Sequence, residues 1–128
     1  METLFRDRAS NFFGDDDFFV GLYYGTISKA TVLATVPGEP TGNGYVRNRI
    51  ERTAVGWPTL ESSNGDWRIV SKQVSLTASG GSIGPVQGAF VCTSSDDTGT
   101  LISYIAFGIE RTILAGDEVT MQIKNKLV

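Results

Sequence analysis

The amino-acid sequence predicts an all-β protein, an antiparallel β-sandwich of jelly-roll or immunoglobulin-like type with a short N-terminal helix or arm. Two observations carry this prediction. About seven or eight stretches rich in strand-forming residues follow one another, and clusters of Gly, Ser, Asn and Asp separate them. A helical spacing of apolar residues occurs only near the N-terminus. We therefore expect an arm over residues 1–17 and a single sandwich domain over residues 18–128.

Length, composition and charge narrow the class of protein. The 128 residues contain 41% hydrophobic residues and carry a net charge of −3, which is typical of one folded domain. Basic residues are scattered, except for Arg47, Arg49 and Arg52 on one predicted strand, and form no stripe of the kind that binds phosphates, so we expect no nucleic acid partner. Apolar runs are far shorter than the ~20 residues of a spanning helix, and the first residues lack the apolar region of a signal peptide. We expect no membrane partner and no secretion.

The N-terminal residues predict a short amphipathic helix. Its apolar residues recur at spacings of about three to four, and they are Leu4, Phe5, Ala9, Phe12 and Phe13. An isolated helix of this length is marginal in water, so these side chains need a surface to pack on. Two interpretations remain open: the helix closes one end of its own domain, or it docks on a neighbouring subunit. Consecutive aspartates follow at 15–17 and point to opposite faces of an extended chain, so we expect a solvated turn and no metal site.

The predicted strands follow in chain order. The strand at 18–24 shows little alternation, which indicates burial on both faces. A hairpin turn is expected at Asn64-Gly65, where both residue types tolerate positive φ. Between residues 37 and 44, two prolines and three glycines predict a long loop, a common place for binding or subunit contacts. The remaining strands are predicted at 29–35, 45–53, 67–77, 86–93, 101–107 and 118–127.

The predicted strand 45–53 has no wholly apolar face. Alternation places charged or polar side chains on both sides, which is typical of an edge strand or a polar interface. Its candidate interface residues are Tyr45, Arg47, Arg49 and Arg52.

Few residues are candidates for binding a ligand or for catalysis. Trp57 and Trp67 are candidate stacking platforms for sugar rings, although tryptophan is more often a core residue. The single cysteine, Cys92, lies in an apolar strand and is expected to be buried. The sequence has no histidine, and its carboxylates fall mostly in turns, so we expect no enzyme, no cofactor and no metal.

Four motifs occur in a characteristic order. They are Phe19-Val20-Gly21-Leu22-Tyr23, then Gly42-x-Gly44-Tyr45-x-Arg47, then the Ser/Gly-rich stretch 77–83, and finally Ala115-Gly116-Asp117. This order resembles a family of small tailed-bacteriophage virion proteins of the capsid decoration, head fibre or tail fibre type. The chain departs from the family pattern after Arg47, because Arg49, Glu51 and Arg52 stand where apolar residues are usual.

The resemblance implies a structural role and a partner. It implies a protein made in the host cytoplasm and assembled into the virion, where it decorates or cements the capsid through the major capsid protein or another virion subunit. It also implies a homo-oligomer, with a trimer favoured. The alternative is a fibre or adhesin module that binds a host surface glycan through Trp57 and Trp67.

Overall fold

The computed structural model describes residues 17–51, 55–63 and 65–126, and it confirms the all-β, sandwich-like prediction. Its described part contains nine strands and one 3₁₀ turn at Leu33–Thr35. The strands are β1 (Phe18–Tyr23), β2 (Asn48–Ile50), β3 (Thr59–Ser63), β4 (Asp66–Val70), β5 (Val74–Thr77), β6 (Ile83–Cys92), β7 (Leu101–Ile113), β8 (Glu118–Met121) and β9 (Lys124–Lys126).

The strands form three antiparallel sheets. The central sheet has the order β2-β1-β6-β7, a second sheet has the order β3-β4-β9, and β5 pairs with β8. The hairpin predicted at residues 64–65 is present, since Ser63 pairs with Asp66. Strand β2 lies at one edge of the central sheet, as its polar sequence predicted, but it is only three residues long.

Strands β1 and β6 are covered on both faces, as the lack of alternation in β1 predicted. On one face, Phe18, Val20 and Leu22 pack in two apolar clusters with residues of β5, β6 and β8. On the other face, a third cluster includes Phe90 and Cys92 of β6. The connection between β1 and β2 covers this second face, and it contributes Ile27 and Leu33 to the cluster.

The prediction of a strand at 29–35 is wrong, because side-chain hydroxyls form hydrogen bonds with the local backbone there. Thr31 Oγ1 accepts from the Ser28 N–H at 3.0 Å, and Thr35 Oγ1 accepts from the Val32 N–H at 3.1 Å. Hydrogen bonds of this kind compete with a sheet ladder. The segment therefore forms turns and the short 3₁₀ helix.

The single strand predicted at 67–77 is two strands in different sheets. The chain leaves β4 at Ser71, which is fully buried and bonds twice to one residue across the sheet. Its N–H donates to the Ile123 carbonyl at 2.8 Å, and its Oγ accepts from the Ile123 N–H at 2.8 Å. This crossing point divides β4 from β5, and the break at residues 122–123 divides β8 from β9.

Several predictions fall outside the described residues. The arm at 1–17 is described only at Asp17, so neither interpretation of the N-terminal helix is tested. Among the described residues, no helix has the length and apolar character needed to cross a membrane.

Candidate functional site

A tight turn opens the site. Gly42, Asn43 and Gly44 have φ angles of 75°, 55° and 85°, a left-handed run that glycine and asparagine adopt most readily. The Tyr45 N–H closes this turn on the Gly42 carbonyl at 3.0 Å. Tyr45 and Arg47 follow this turn before β2 begins at Asn48, so they are not part of a long strand. The Tyr45 ring packs against the cluster that contains Leu22, and Arg47 extends over the second face of the central sheet.

Tyr45 links the turn to the middle of β1. The Leu22 N–H donates to the Tyr45 hydroxyl oxygen at 2.9 Å, and the hydroxyl donates to Glu39 Oε2 at 2.7 Å. The ring approaches β1 at Gly21, where an added Cβ would lie 2.8 Å from the Tyr45 hydroxyl and 2.4 Å from the Phe90 ring. Only glycine leaves room for both aromatic side chains at this point.

Arg47 is the centre of the site, and its side chain is only 4% exposed. Its guanidinium forms a fork with Glu39, with Nε to Oε2 at 2.8 Å and Nη2 to Oε1 at 2.7 Å. Nη2 also donates to Asp97 Oδ1 at 2.8 Å. Nη1 donates to two carbonyls of the β6–β7 turn, those of Ser94 at 3.3 Å and of Asp96. An arginine has five N–H groups, so each has an acceptor here.

An aromatic ring supports the same guanidinium. The Arg47 Cζ lies 5.3 Å from the centroid of the Phe90 ring, a favourable arrangement for a cation and an aromatic face. Phe90 is fully buried on β6, two residues before the strand ends at Cys92. Arg47 therefore ties together three segments that are distant in sequence: the Glu39 loop, the core of the central sheet, and the β6–β7 turn.

The four motifs of the sequence meet around this site. The Ser79 N–H donates to the Asn43 carbonyl at 2.9 Å, which joins the Gly42–Arg47 motif to the Ser/Gly-rich stretch. Residue Ala78 of that stretch bonds in turn to the Ala115-Gly116-Asp117 motif, through its carbonyl to the Gly116 N–H at 2.8 Å and through its N–H to the Asp117 carbonyl at 3.1 Å. Together with the contact of Tyr45 on β1, these bonds place all four motifs in one connected region.

The electrostatics of the site fix its protonation. Burial, followed by the hydrogen bond to Glu39, raises the pKa of the Tyr45 hydroxyl. The hydrogen bond to Glu39 raises the pKa of the Arg47 guanidinium against the opposing effect of burial. The tyrosine is therefore neutral and the arginine charged over the working range of pH, and the Glu39 carboxylate is held by both. Arg47, Tyr45, Glu39 and Asp97 form a hydrogen-bonded cluster with the carbonyls of the β6–β7 turn, which we call the clamp. This arrangement suits a structural role and not proton transfer.

A cleft of about 420 Å³ lies beside the clamp. Its lining includes Glu39, Arg47, Asp96 and Asp97. Two of its carboxylates, those of Glu39 and Asp97, are bound to the guanidinium. In the described part of the chain, no group of three or more Cys, Asp or Glu side chains is arranged to hold a metal ion.

The structure separates the predicted interface residues. Tyr45 and Arg47 use their polar groups inside the chain. Their predicted contact with a partner stays a prediction. Arg49 is 59% exposed and pairs with Asp17 at 2.5 Å. The other predicted interface residues lie outside the described part, and they are Leu4, Phe5, Phe12, Phe13 and Arg52.

The two tryptophans also differ from their predicted role as sugar platforms. Trp57 is 4% exposed and packs edge-on against Phe18, with ring centroids 5.5 Å apart, so its ring is not a free stacking surface. This corrects the glycan prediction for Trp57. The Trp67 side chain lies outside the described part. Cys92 is buried, as predicted, and its thiol donates to the Ser94 carbonyl at 3.2 Å.

Sequence reasoning missed the partners of the clamp. Glu39 stands between two prolines in a loop that was predicted to contact a partner, and Asp97 stands in a turn that gave no functional signal. The loop is held against its own chain, since the Tyr24 N–H donates to the Pro37 carbonyl at 3.1 Å. The one signal in the sequence was Arg47 itself. A guanidinium that is buried against apolar residues requires an acceptor from elsewhere in the chain.

The fold defines the class only as an all-β, sandwich-like protein. No protein-family model, no curated protein and no solved structure matches the chain. The resemblance to phage virion proteins accordingly stays a prediction from motif order.

Replacing Tyr45 with phenylalanine tests the clamp at its edge. The Tyr45→Phe variant keeps the ring but leaves the Leu22 N–H without its acceptor and removes one donor from Glu39. We expect the free energy of unfolding to fall by about 1–2 kcal/mol, measured by urea denaturation. Tyr24→Phe is the matched control, because Tyr24 is 38% exposed and we expect almost no change there. Equal stability of Tyr45→Phe and the parent would contradict the assigned hydrogen bonds.

Proposed function

We propose that this chain is a non-enzymatic structural protein of a tailed-bacteriophage virion, which decorates or cements the capsid as a homo-oligomer. The observation that carries the proposal is the meeting of four motifs in one region. The resemblance rests on those motifs and their order. The hydrogen bonds between the motifs give a structural reason for the presence of each one. A protein whose characteristic residues build its own framework suits a role as a rigid component of a particle.

The chemistry of the clamp supports a non-enzymatic role. General acid–base catalysis needs a carboxylate or similar group that is free to exchange a proton near a substrate. Glu39 and Asp97, the carboxylates closest to the buried Arg47, are instead held by its guanidinium at 2.7 Å and 2.8 Å. A second ion pair, between Lys72 and Glu51 at 2.9 Å, likewise connects two loops.

Exposed apolar residues support assembly with other subunits. Four large ones lie on β7 or just after it, and they are Tyr104, Ile105, Ile109 and Leu114. The predicted N-terminal arm adds four more large apolar residues to the chain. On a shell with many equivalent positions, weak contacts of this kind gain strength through multivalency. The partner in this proposal is the major capsid protein or another virion subunit.

Glycan binding by a fibre or adhesin module is the competing function. The burial of Trp57 removes one of its two candidate stacking residues. We therefore rank it below capsid decoration and treat it as an outcome of the test.

Co-sedimentation with capsids tests the proposal. Purified full-length protein is mixed with undecorated capsids of the phage that encodes it, and the particles are pelleted. We expect the protein to pellet at a fixed ratio to the major capsid protein. A chain lacking residues 1–13 tests the arm: we expect it to stay folded by circular dichroism and to lose binding to the particle.

Three outcomes are informative. Loss of binding on deletion supports the arm as a docking element, and unchanged binding contradicts it while leaving capsid decoration in place. Full-length protein that stays in the supernatant at all concentrations contradicts capsid decoration. In that case a glycan array with the folded protein tests the fibre alternative.

A further inference from the structure

A second cleft lies where β7 departs from regular pairing with β6, and its volume is about 240 Å³. Ala106 pairs with Gly88, and the next pair along the strands is Arg111 with Val86. Residues 107–110 of β7 therefore stand opposite a single residue of β6. An irregularity of this kind bends a strand and redirects its side chains. We call this space the bulge cleft, and its lining includes Tyr23, Gln87, Ala106, Ile109 and Glu110.

Tyr23 brings a buried hydroxyl to the bulge cleft. The residue is 2% exposed, and its ring packs on the backbone of Gly88, where an added Cβ would lie 2.5 Å from the ring atoms Cε1 and Cζ. The hydroxyl is bonded to Cζ, so it lies beside the pair of Gly88 with Ala106, where the bulge begins. Among the described residues, this hydroxyl has no hydrogen-bond partner. Buried polar groups are normally hydrogen-bonded, so the Tyr23 hydroxyl points to a ligand.

Two further polar groups of the bulge cleft are free to bind a ligand. Gln87 Oε1 accepts from the Gly25 N–H at 2.9 Å, which fixes the amide and leaves the two Nε2 donors without a partner in the described part of the chain. Glu110 is exposed and supplies an acceptor. The remaining wall is apolar, because Ala106 and Ile109 line it.

The three free groups define the chemistry of the ligand. Burial, followed by the charge interaction with Tyr104, raises the pKa of the Tyr23 hydroxyl, so the hydroxyl keeps its proton at neutral pH and can donate. An ammonium ion would face the donors of Tyr23 and Gln87, and an anion would face the carboxylate of Glu110. A neutral ligand with several hydroxyl groups matches all three, because each hydroxyl both donates and accepts.

We propose that the bulge cleft binds one ring of a neutral sugar, whose hydroxyls contact the Tyr23 hydroxyl, the Gln87 amide nitrogen and the Glu110 carboxylate. The cleft has the volume of about eight water molecules at ~30 Å³ each, which is the scale of a single sugar ring. The inference goes beyond capsid decoration, which needs no sugar. It also uses neither of the tryptophans on which the competing glycan function depends.

Titration of the full-length protein with sugars, followed by nuclear magnetic resonance, tests the proposal. The sugars are D-glucose, D-galactose, D-mannose and N-acetyl-D-glucosamine. We expect at least one of them to bind with a Kd on the order of 1 mM, because the ligand is small and the cleft is open. Binding should shift the side-chain amide signal of Gln87 and the backbone signals of 107–110, while the signals of β4 stay unchanged.

Tyr23→Phe separates binding from folding. The variant keeps the ring on Gly88 and removes only the hydroxyl, so we expect sugar binding to weaken about tenfold. Stability in urea should not fall, because the hydroxyl has no partner within the described chain. A purely structural hydroxyl would give the opposite pair of results. Tyr24→Phe is the matched control, since Tyr24 is 38% exposed, and it should bind as the parent does.

Gln87→Glu tests the class of ligand. The variant keeps an acceptor for the Gly25 N–H but replaces the two free donors with a second carboxylate oxygen. We expect it to weaken sugar binding. Methylammonium is the charged probe: it should not shift the signals of the parent cleft, whereas a cation site would bind it and would bind it more tightly in Gln87→Glu.

Several results would overturn the inference. No shift with any of the four sugars, equal sugar binding by Tyr23→Phe and the parent, or tighter binding of methylammonium than of every sugar would each do so. Methyl glycosides of the sugar that binds distinguish its source: binding of the glycoside supports the end of a glycan chain, and binding of the free sugar alone supports a free monosaccharide. Capsid decoration is tested separately, because pelleting with capsids is measured without sugar and for Tyr23→Phe as well as for the parent.

Discussion

Replacing Arg47 with methionine is expected to lower the free energy of unfolding by about 3 kcal/mol, because it removes the cation from a buried network and leaves its acceptors behind. The fork on Glu39, the bond to Asp97 and the carbonyls of the β6–β7 turn all lose their donor at once. Methionine keeps most of the packing on Phe90, so the loss reports mainly on the polar contacts. Urea denaturation measures it.

Two further variants interpret the Arg47→Met result. Arg49→Met removes an arginine from the neighbouring strand whose side chain is 59% exposed, and we expect a loss of less than about 1 kcal/mol. Arg47→Lys keeps the charge but cannot form the fork, so its stability should lie between those of Arg47→Met and the parent. If Arg47→Met and Arg49→Met are equally stable, the clamp does not hold the fold together.

The second large effect is expected from Gly21→Ala in the middle of β1. A Cβ there would lie 2.4 Å and 2.8 Å from two atoms of the Phe90 ring, and Phe90 is fully buried. Neither the ring nor the strand can move without disturbing the sheet. We expect a loss of about 3 kcal/mol, at the upper end of the range for an overpacked core.

Gly42→Ala is the contrasting glycine variant. No atom lies within 4 Å of an added Cβ at this position, but the φ of 75° is unfavourable for alanine. We expect a loss of about 1 kcal/mol from the backbone alone. A double variant, Gly21→Ala with Phe90→Leu, should lose less stability than the sum of the two single variants, because leucine frees the space that the new methyl group needs. Additive losses would contradict the steric explanation.

The parts of the fold that the sequence predicted depend on local signals. The uninterrupted apolar run of β1 and the turn residues at 64–65 each act within a few positions, and both predictions were confirmed. The failures at 29–35 and at Ser71 have another cause. Hydroxyl groups there bond to backbone atoms, and in the case of Ser71 the partner, Ile123, is 52 residues away.

The site shows the same limit. Its two central residues, Tyr45 and Arg47, were singled out from the sequence as contacts for another subunit. Their hydrogen-bond partners within the chain were not predicted, and they include Glu39, eight residues from Arg47, and Asp97, 50 residues from it. Alternation assigns a side chain to a face of a strand and says nothing of a loop folded over that face. The reason for the order of the four motifs therefore appears only in three dimensions.

The most direct test of the proposed virion role is quantitative mass spectrometry of purified particles of the encoding phage. We expect this chain to be present at a simple whole-number ratio to the major capsid protein, and to remain after washes that remove host proteins. A chain that is abundant in infected cells but absent from purified particles would contradict the proposal that it is a structural component of the virion.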